Sequence, residues 1–230
     1  MDKFVELKKV TDRMFQEKKI EEHPLFMALN NGEFSDEQRK EIALQIYHVV
    51  LYFPRFLSAI LTNMSDYRMR MPLVENLFEE HGKMNEKYVH SETYKEFLQG
   101  IGVSEDEIKE SEPSIPVLAY NRGLTDLCLH YHYLEGLAAL GVIEEIVARV
   151  SPLVGQFAKS NYGSENKSLV HFTDHEVLDV QHANEIYEVV ALSYEGDQKQ
   201  IIERGLQFGM YYHSRMYMDI LEDVRRHDIG

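Results

Sequence analysis

Tryptophan is absent from this 230-residue chain, cysteine occurs once and proline six times. The lone Cys128 excludes an intramolecular disulfide and fits a reducing compartment; its apolar neighbours Leu127 and Leu129 point to packing rather than nucleophilic work. Positive charge is also scarce. Lysine and arginine number 24 against 39 acidic residues, a formal net charge of −15, which disfavours nucleic acid or an anionic membrane surface as partner. No run of 18 apolar residues occurs, and Met1-Asp2-Lys3-Phe4 opens a charged amphipathic stretch, so no transmembrane helix or signal peptide is expected. Period-two alternation, internal repeats and low-complexity segments are missing as well. What remains is an all-α chain, expected to be cytoplasmic and to form one helical domain over 1–230.

Helix punctuation is plentiful. Residues 2–20 carry Phe4, Leu7, Val10 and Phe15 on one side, and a short helix over His23-Pro24-Leu25-Phe26-Met27 should end at Asn30-Asn31-Gly32. Ser35 with Gln38 is a capping box opening a long helix to about Asn63, apolar almost all round near Tyr47–Phe53 and kinked at Pro54. A third long helix should start at Pro72 and run to Glu79-Glu80-His81-Gly82, followed by a short one from Ser91 to Gly100. Ser104 with Glu107 is another capping box. One apolar helix holds Cys128, a second spans Gly136–Val150, and a last one reaches Arg226. About seven substantial helices should make one bundle.

Thr173 and Glu176 form a third capping box, so a helix should begin there and last to about Ser193. On it His175, Asp179 and His182 stand at i, i+4 and i+7, within roughly 60° of one another at 3.6 residues per turn. Two imidazoles and a carboxylate on one stripe suit a metal that takes nitrogen and oxygen ligands. The same pattern also describes an ordinary polar face with two histidines, in a chain that has 11 of them. Glu144 follows an uncharged stretch, Leu137 to Ile143, where a carboxylate is costly unless paired or metal-bound; Glu145 beside it can face solvent. Glu79 closes an apolar helix face, and His90 begins the next helix. These are three carboxylates and three imidazoles, the kind of set with which bundle cores hold two metal ions. The paired Glu-x-x-His signature of ferritin-like proteins is absent.

The spacing His175-x3-Asp179-x2-His182, with Ala138-Ala139-Leu140-x3-Glu144 before it, resembles the haem-oxygenase-like di-iron oxidases and oxygenases. So does Glu79-Glu80-x-Gly82 followed by His90-x-Glu92-x-Tyr94-x2-Phe97, and the early His23-Pro24-Leu25-Phe26 with Gly32-Glu33-Phe34-Ser35-x-Glu37-Gln38. The thiaminase-type proteins and the enzyme completing pyrroloquinoline quinone share that superfamily. The resemblance implies a haem-oxygenase-like fold and two ferrous ions held by Glu79, His90, Glu144, His175, Asp179 and His182. It further implies O2 as co-substrate and a small amine or amino acid as substrate, with a homodimer expected. Family activities include N-oxygenation, fragmentation to alkenes, and rearrangement of a tryptophan-type amino acid to a nitrile; a tryptophan or brominated tryptophan is the expected substrate.

Two departures bear on this. Members usually place the first Glu seven residues before the His, whereas Glu79 precedes His90 by eleven. On a straight helix the two would lie about 16 Å apart, so the helix must break after Gly82, or Glu80 or His81 is the ligand instead. The branch that makes para-aminobenzoate from its own side chain has a lysine ten residues after the third-helix Glu; here that position is Val154. The pocket should be apolar, walled by Phe78, Ile143 and neighbours of the ligands. No lysine or arginine lies within one turn of the three late ligands on their face, Arg149 pointing elsewhere, so the substrate's polar end should approach iron directly. Two alternatives stand beside this: a metal-free thiaminase-type enzyme or heterocycle-binding protein, which needs a pocket cysteine, and a helical interaction module.

Overall fold

Residues 2–163 and 170–226 are described by a computed structural model, apart from the side chains at 170, 171 and 173–179. The chain enters through α1 (Lys3–Lys18), capped by the Asp2 carboxylate, and α2 (Pro24–Asn30), whose first turn is capped by His23 Nδ1 accepting from Leu25 N. Then come α3 (Asp36–Asn63), α4 (Tyr67–Glu80), α5 (His90–Gly100), α6 (Glu105–Glu110) and α7 (Ile115–His130). The two capping boxes expected at Ser35–Gln38 and Ser104–Glu107 are both formed. The last three are α8 (Tyr133–Tyr162), α9 (Val170–Ala191) and α10 (Gln198–Arg226). Seven of these, α1, α3, α4, α7, α8, α9 and α10, have fourteen residues or more, and no strand occurs among the described residues.

Three boundaries differ from expectation. Helix α4 starts at Tyr67, one turn before Pro72, because Asp66 caps Arg68 N and outweighs the proline as a start signal. Helix α9 is already formed at Val170, ahead of Thr173, and Phe172 packs edge-on against Phe97 and Tyr94; the side chains of the expected Thr173–Glu176 capping box lie outside the described residues. Helix α8 runs from Tyr133 to Tyr162, beyond both ends of the expected Gly136–Val150 stretch.

Helix α8 is the centre of the bundle. From Leu134 to Ile146 every side chain is buried, which is why this stretch reads as apolar on all sides. It packs against α9 on one flank and α10 on the other. The α10 contact is close: a Cβ at Gly209 would come within 2.4 Å of Ala139 O, so only glycine lets the two backbones approach. Helix α3 has the length and composition of a membrane span, yet it packs against α7, α5 and α4 and buries Phe56, Leu57 and Ile60 completely.

Candidate metal centre

The residues of interest converge where α4, the start of α5, α8 and α9 meet. Helix α4 stops at Glu80 because three consecutive residues, Gly82, Lys83 and Met84, adopt positive φ. Two short 3-10 turns, Gly82–Met84 and Glu86–Tyr88, bring the chain back so that Val89 bridges His81. Gly82 lies against the returning strand of chain: a Cβ there would sit 2.5 Å from both Tyr88 C and Val89 N. The helix break required by the Glu79–His90 spacing is therefore present, and it returns His90 to the end of α4. His90 Nδ1 stands 2.9 Å from Glu80 Oε1, both side chains buried.

Glu79 faces α9. His182 Nε2 lies 2.6 Å from its Oε2, and Lys83 Nζ 2.7 Å from its Oε1. Burial would raise the Glu79 pKa, but the hydrogen bonds from Lys83 and His182 outweigh it and hold the carboxyl below its ordinary value. Glu144 comes in from α8, where Asn76 Nδ2 donates to its Oε1 at 2.7 Å. His182 Nδ1 is 4.0 Å from that same oxygen, too far for a hydrogen bond, and has no hydrogen-bond partner among the described residues. A buried imidazole nitrogen left without a hydrogen bond beside two carboxylates fits a cation that takes nitrogen and oxygen donors.

Of the residues expected from sequence, Glu79, Glu144 and His182 share one cluster, while His90 pairs separately with Glu80. His175 and Asp179 lie on the backbone of α9, and their side chains are outside the described residues. Among the described residues no three such groups already form a closed metal site. His81 is turned outward, exposed and bonded to Leu77 O, which removes it as a ligand candidate. Asn76 and Lys83 were not anticipated; the spacing Asn76-x-x-Glu79, one turn on one face, is the signal that could have found the first.

A separate apolar cavity of about 120 Å³ has none of the described candidate ligands in its wall, but residues one helical turn from two of them. Its wall includes Tyr94, one turn after His90, Val147, one turn after Glu144, and Phe172 on α9. Phe78 and Ile143 are not in it: Phe78 is 44% exposed and Ile143 packs in the core, because each points away from the ligand beside it in sequence. Val154 is in the wall. So is Arg39 of α3, a cation that the reading of the late-ligand faces did not consider. The Arg39 guanidinium pairs with exposed Asp36 at 2.7 Å and donates to Ser35 O at 3.3 Å. Arg149 points away, as expected, toward Glu145 and Glu21. A larger open groove, about 980 Å³ between α1 and α10, contains none of the candidate residues. Cys128 is fully buried, outside both, and burial pushes its thiol up to about 12, which argues against a nucleophilic role.

Comparison with known proteins shows the family. A family described as iron-containing redox enzymes matches residues 40–211, and the chain belongs to it. It is similar to a 4-aminobenzoate synthase of Chlamydia muridarum, 30% identical over 198 residues that cover 84% of this chain and 80% of that one. It is also similar to a 4-chloro-allylglycine synthase of Streptantibioticus cattleyicolor, 22% identical, covering 74% and 65% of the two chains. Among solved structures, a CADD-like protein of unknown function from Nostoc punctiforme superposes with a TM-score of 0.83 at 17% identity, over 96% of this chain and 98% of that one. A Shewanella denitrificans domain with a heme oxygenase-like fold gives 0.76 at 13% identity, over 97% and 94%. The fold is haem-oxygenase-like.

Proposed function

We propose that this protein is a di-iron oxidase or oxygenase that uses O2 on a compact amino acid or amine. The observation that carries this is the buried Glu79–His182–Glu144 cluster with its unbonded imidazole nitrogen, in a chain of an iron-containing redox family. Glu79, His90, Glu144, His175, Asp179 and His182 would hold the metal. We add Glu80, because the loop after α4 delivers His90 to it. Bound ferrous iron would supply electrons to O2.

The chain's own part is placement and exclusion of water. Asn76 fixes the rotamer of Glu144, and Lys83 holds Glu79 ionised. The cavity, with walls from α2, α3, α5, α8, α9 and α10, is close in size to the roughly 150 Å³ that accepts a benzene ring in a protein core. That favours an aromatic or other compact side chain over a fatty acid. Arg39 at the wall offers the cation for a carboxylate.

Relatives named 4-aminobenzoate synthase raise the alternative that the chain consumes one of its own side chains. Val154 has no amine to give, so we infer an external substrate. Tryptophan and brominated tryptophans, with an indole nitrile as product, are the first to try. The experiment supplies iron-loaded protein with amino acids and with medium-chain fatty acids, and follows O2 uptake, small-molecule products and the mass of the intact protein. Uptake stimulated by an amino acid, with protein mass unchanged, supports the proposal. Fatty-acid turnover, or loss of mass from the protein itself, would overturn it.

A further inference from the structure

A buried hydrogen-bonded chain adjoins the cavity and contains none of the candidate metal ligands. Tyr120 of α7 and His213 and Tyr217 of α10 are all at most 4% exposed. Tyr120 Oη is 2.8 Å from His213 Nδ1, and His213 Nε2 is 2.9 Å from Tyr217 Oη. The Tyr217 ring is pinned edge-on by His213 at 4.7 Å and by Phe26 at 5.0 Å between centroids. The close crossing at Gly209 sets His213 one turn further along α10. Burial pushes the His213 pKa down to about 3, so its ring is neutral and carries one proton.

The proton count is then decisive. Two hydroxyls and one imidazole N–H bring three protons, and the chain contains two hydrogen bonds. One proton is left over whichever way the chain is polarised. If His213 carries its proton on Nδ1, it donates to Tyr120, and the Tyr120 hydroxyl proton is stranded in the core without an acceptor among the described residues. If the proton is on Nε2, Tyr120 donates to Nδ1, Nε2 donates to Tyr217, and the surplus proton is that of the Tyr217 hydroxyl. Tyr217 lines the cavity and Tyr120 does not. The second arrangement leaves the surplus where a ligand can accept it.

We propose that Tyr217 is a specificity-determining residue whose hydroxyl donates a hydrogen bond to an acceptor oxygen on an otherwise apolar ligand in this cavity. His213 and Tyr120 are positioning residues that hold it in the donor polarity. This deepens the reading of the cavity as the substrate site, and it predicts a ligand that is not purely hydrocarbon where it meets α10.

Binding to metal-free protein tests it apart from iron chemistry. The probes are indanone and its exocyclic-methylene isostere, alike in shape and differing in one carbonyl oxygen. Wild-type protein should bind the ketone about tenfold more tightly, as one hydrogen bond to a buried donor would give. Tyr217→Phe should bring that ratio close to one, and Tyr120→Phe should reduce it without abolishing it. Nitrogen-15 correlation spectra of labelled histidine should show His213 as the Nε2–H tautomer in the wild-type protein, a readout that needs no variant to fold. The Nδ1–H tautomer, an equal ratio for wild type and Tyr217→Phe, or no binding of either probe would overturn the proposal. Iron uptake with no acceptor preference sinks this inference alone; acceptor preference without iron uptake sinks the di-iron reading alone.

Discussion

Glu144 and Glu145 are neighbours on α8, both buried, and they solve the cost of a buried carboxylate in opposite ways. Glu145 is tied to Arg149 at 2.8 Å and Lys8 at 3.2 Å, side chains on the rim whose charge is permanent. Arg149 in turn reaches Glu21 and lies over the Phe15 ring, closing α1 against α8. Glu144 is met instead by the Asn76 amide and the His182 imidazole, groups that suit a carboxylate shared with a metal. Glu145, held by an arginine and a lysine from two helices, ties α1 to α8. Glu144, met by an amide and an imidazole, is the acid that the proposed function assigns to the metal.

The sharpest way to break this comparison is to remove each acid in turn. Glu144→Ala should lose iron and cost at least ~100-fold in activity while the far-ultraviolet circular dichroism stays helical. Glu145→Ala should retain the metal, measured by iron analysis of both proteins. Next in size is Gly82→Ala. Its Cβ would meet backbone at 2.5 Å and its φ of +62° suits glycine, so we expect a loss of about 2–3 kcal/mol by urea unfolding and release of iron as His90 moves away from Glu80. Asn76→Ala leaves Glu144 in place without its positioning donor. Ferrous affinity should fall about 10–100-fold by anaerobic titration, with little change in stoichiometry.

Smaller effects belong to the structural side. Glu145→Gln should cost about 1–2 kcal/mol, discounted because Arg149 is 34% exposed and keeps Glu21. Cys128 provides the pH test. Its thiol is raised from 9.0 to about 12 by burial, so the folded state favours the neutral form. That contribution is complete below pH 9.0 and is lost as pH rises toward about 12. Alkaline unfolding curves of the wild type should therefore be steeper over that window than those of Cys128→Ala, with equal activity at neutral pH.

Much of this was legible in the amino-acid sequence, for reasons that can be traced to particular residues. Ser35, Gln38, Ser104 and Glu107 announce their helices because capping is local chemistry. Glu144 stood out because a charge after a long apolar stretch is expensive wherever the helix lands. The break after Gly82 followed from distance alone. What was hidden depends on approach between distant segments. Nothing near Lys83 or Met84 advertises positive φ, so the pairing of His90 with Glu80 was not foreseen, and Glu80 stood only as an alternative to Glu79. Phe78 and Ile143 were placed in the pocket by adjacency to ligands, yet a helix turns 100° between neighbours and sends them elsewhere. Arg39 reaches the cavity from α3, more than a hundred residues before Glu144, and Glu145 is buried through cations supplied by α1 and by its own next turn.

The central claim is that Glu144 is kept for metal and Glu145 for structure. Anaerobic titration of metal-free wild type, Glu144→Gln and Glu145→Gln with ferrous ion, read by iron analysis after desalting, tests it most directly. The account predicts about two equivalents for wild type and for Glu145→Gln, and one or fewer for Glu144→Gln. A wild-type protein that retains no iron, or variants that retain the same amount as each other, would contradict it.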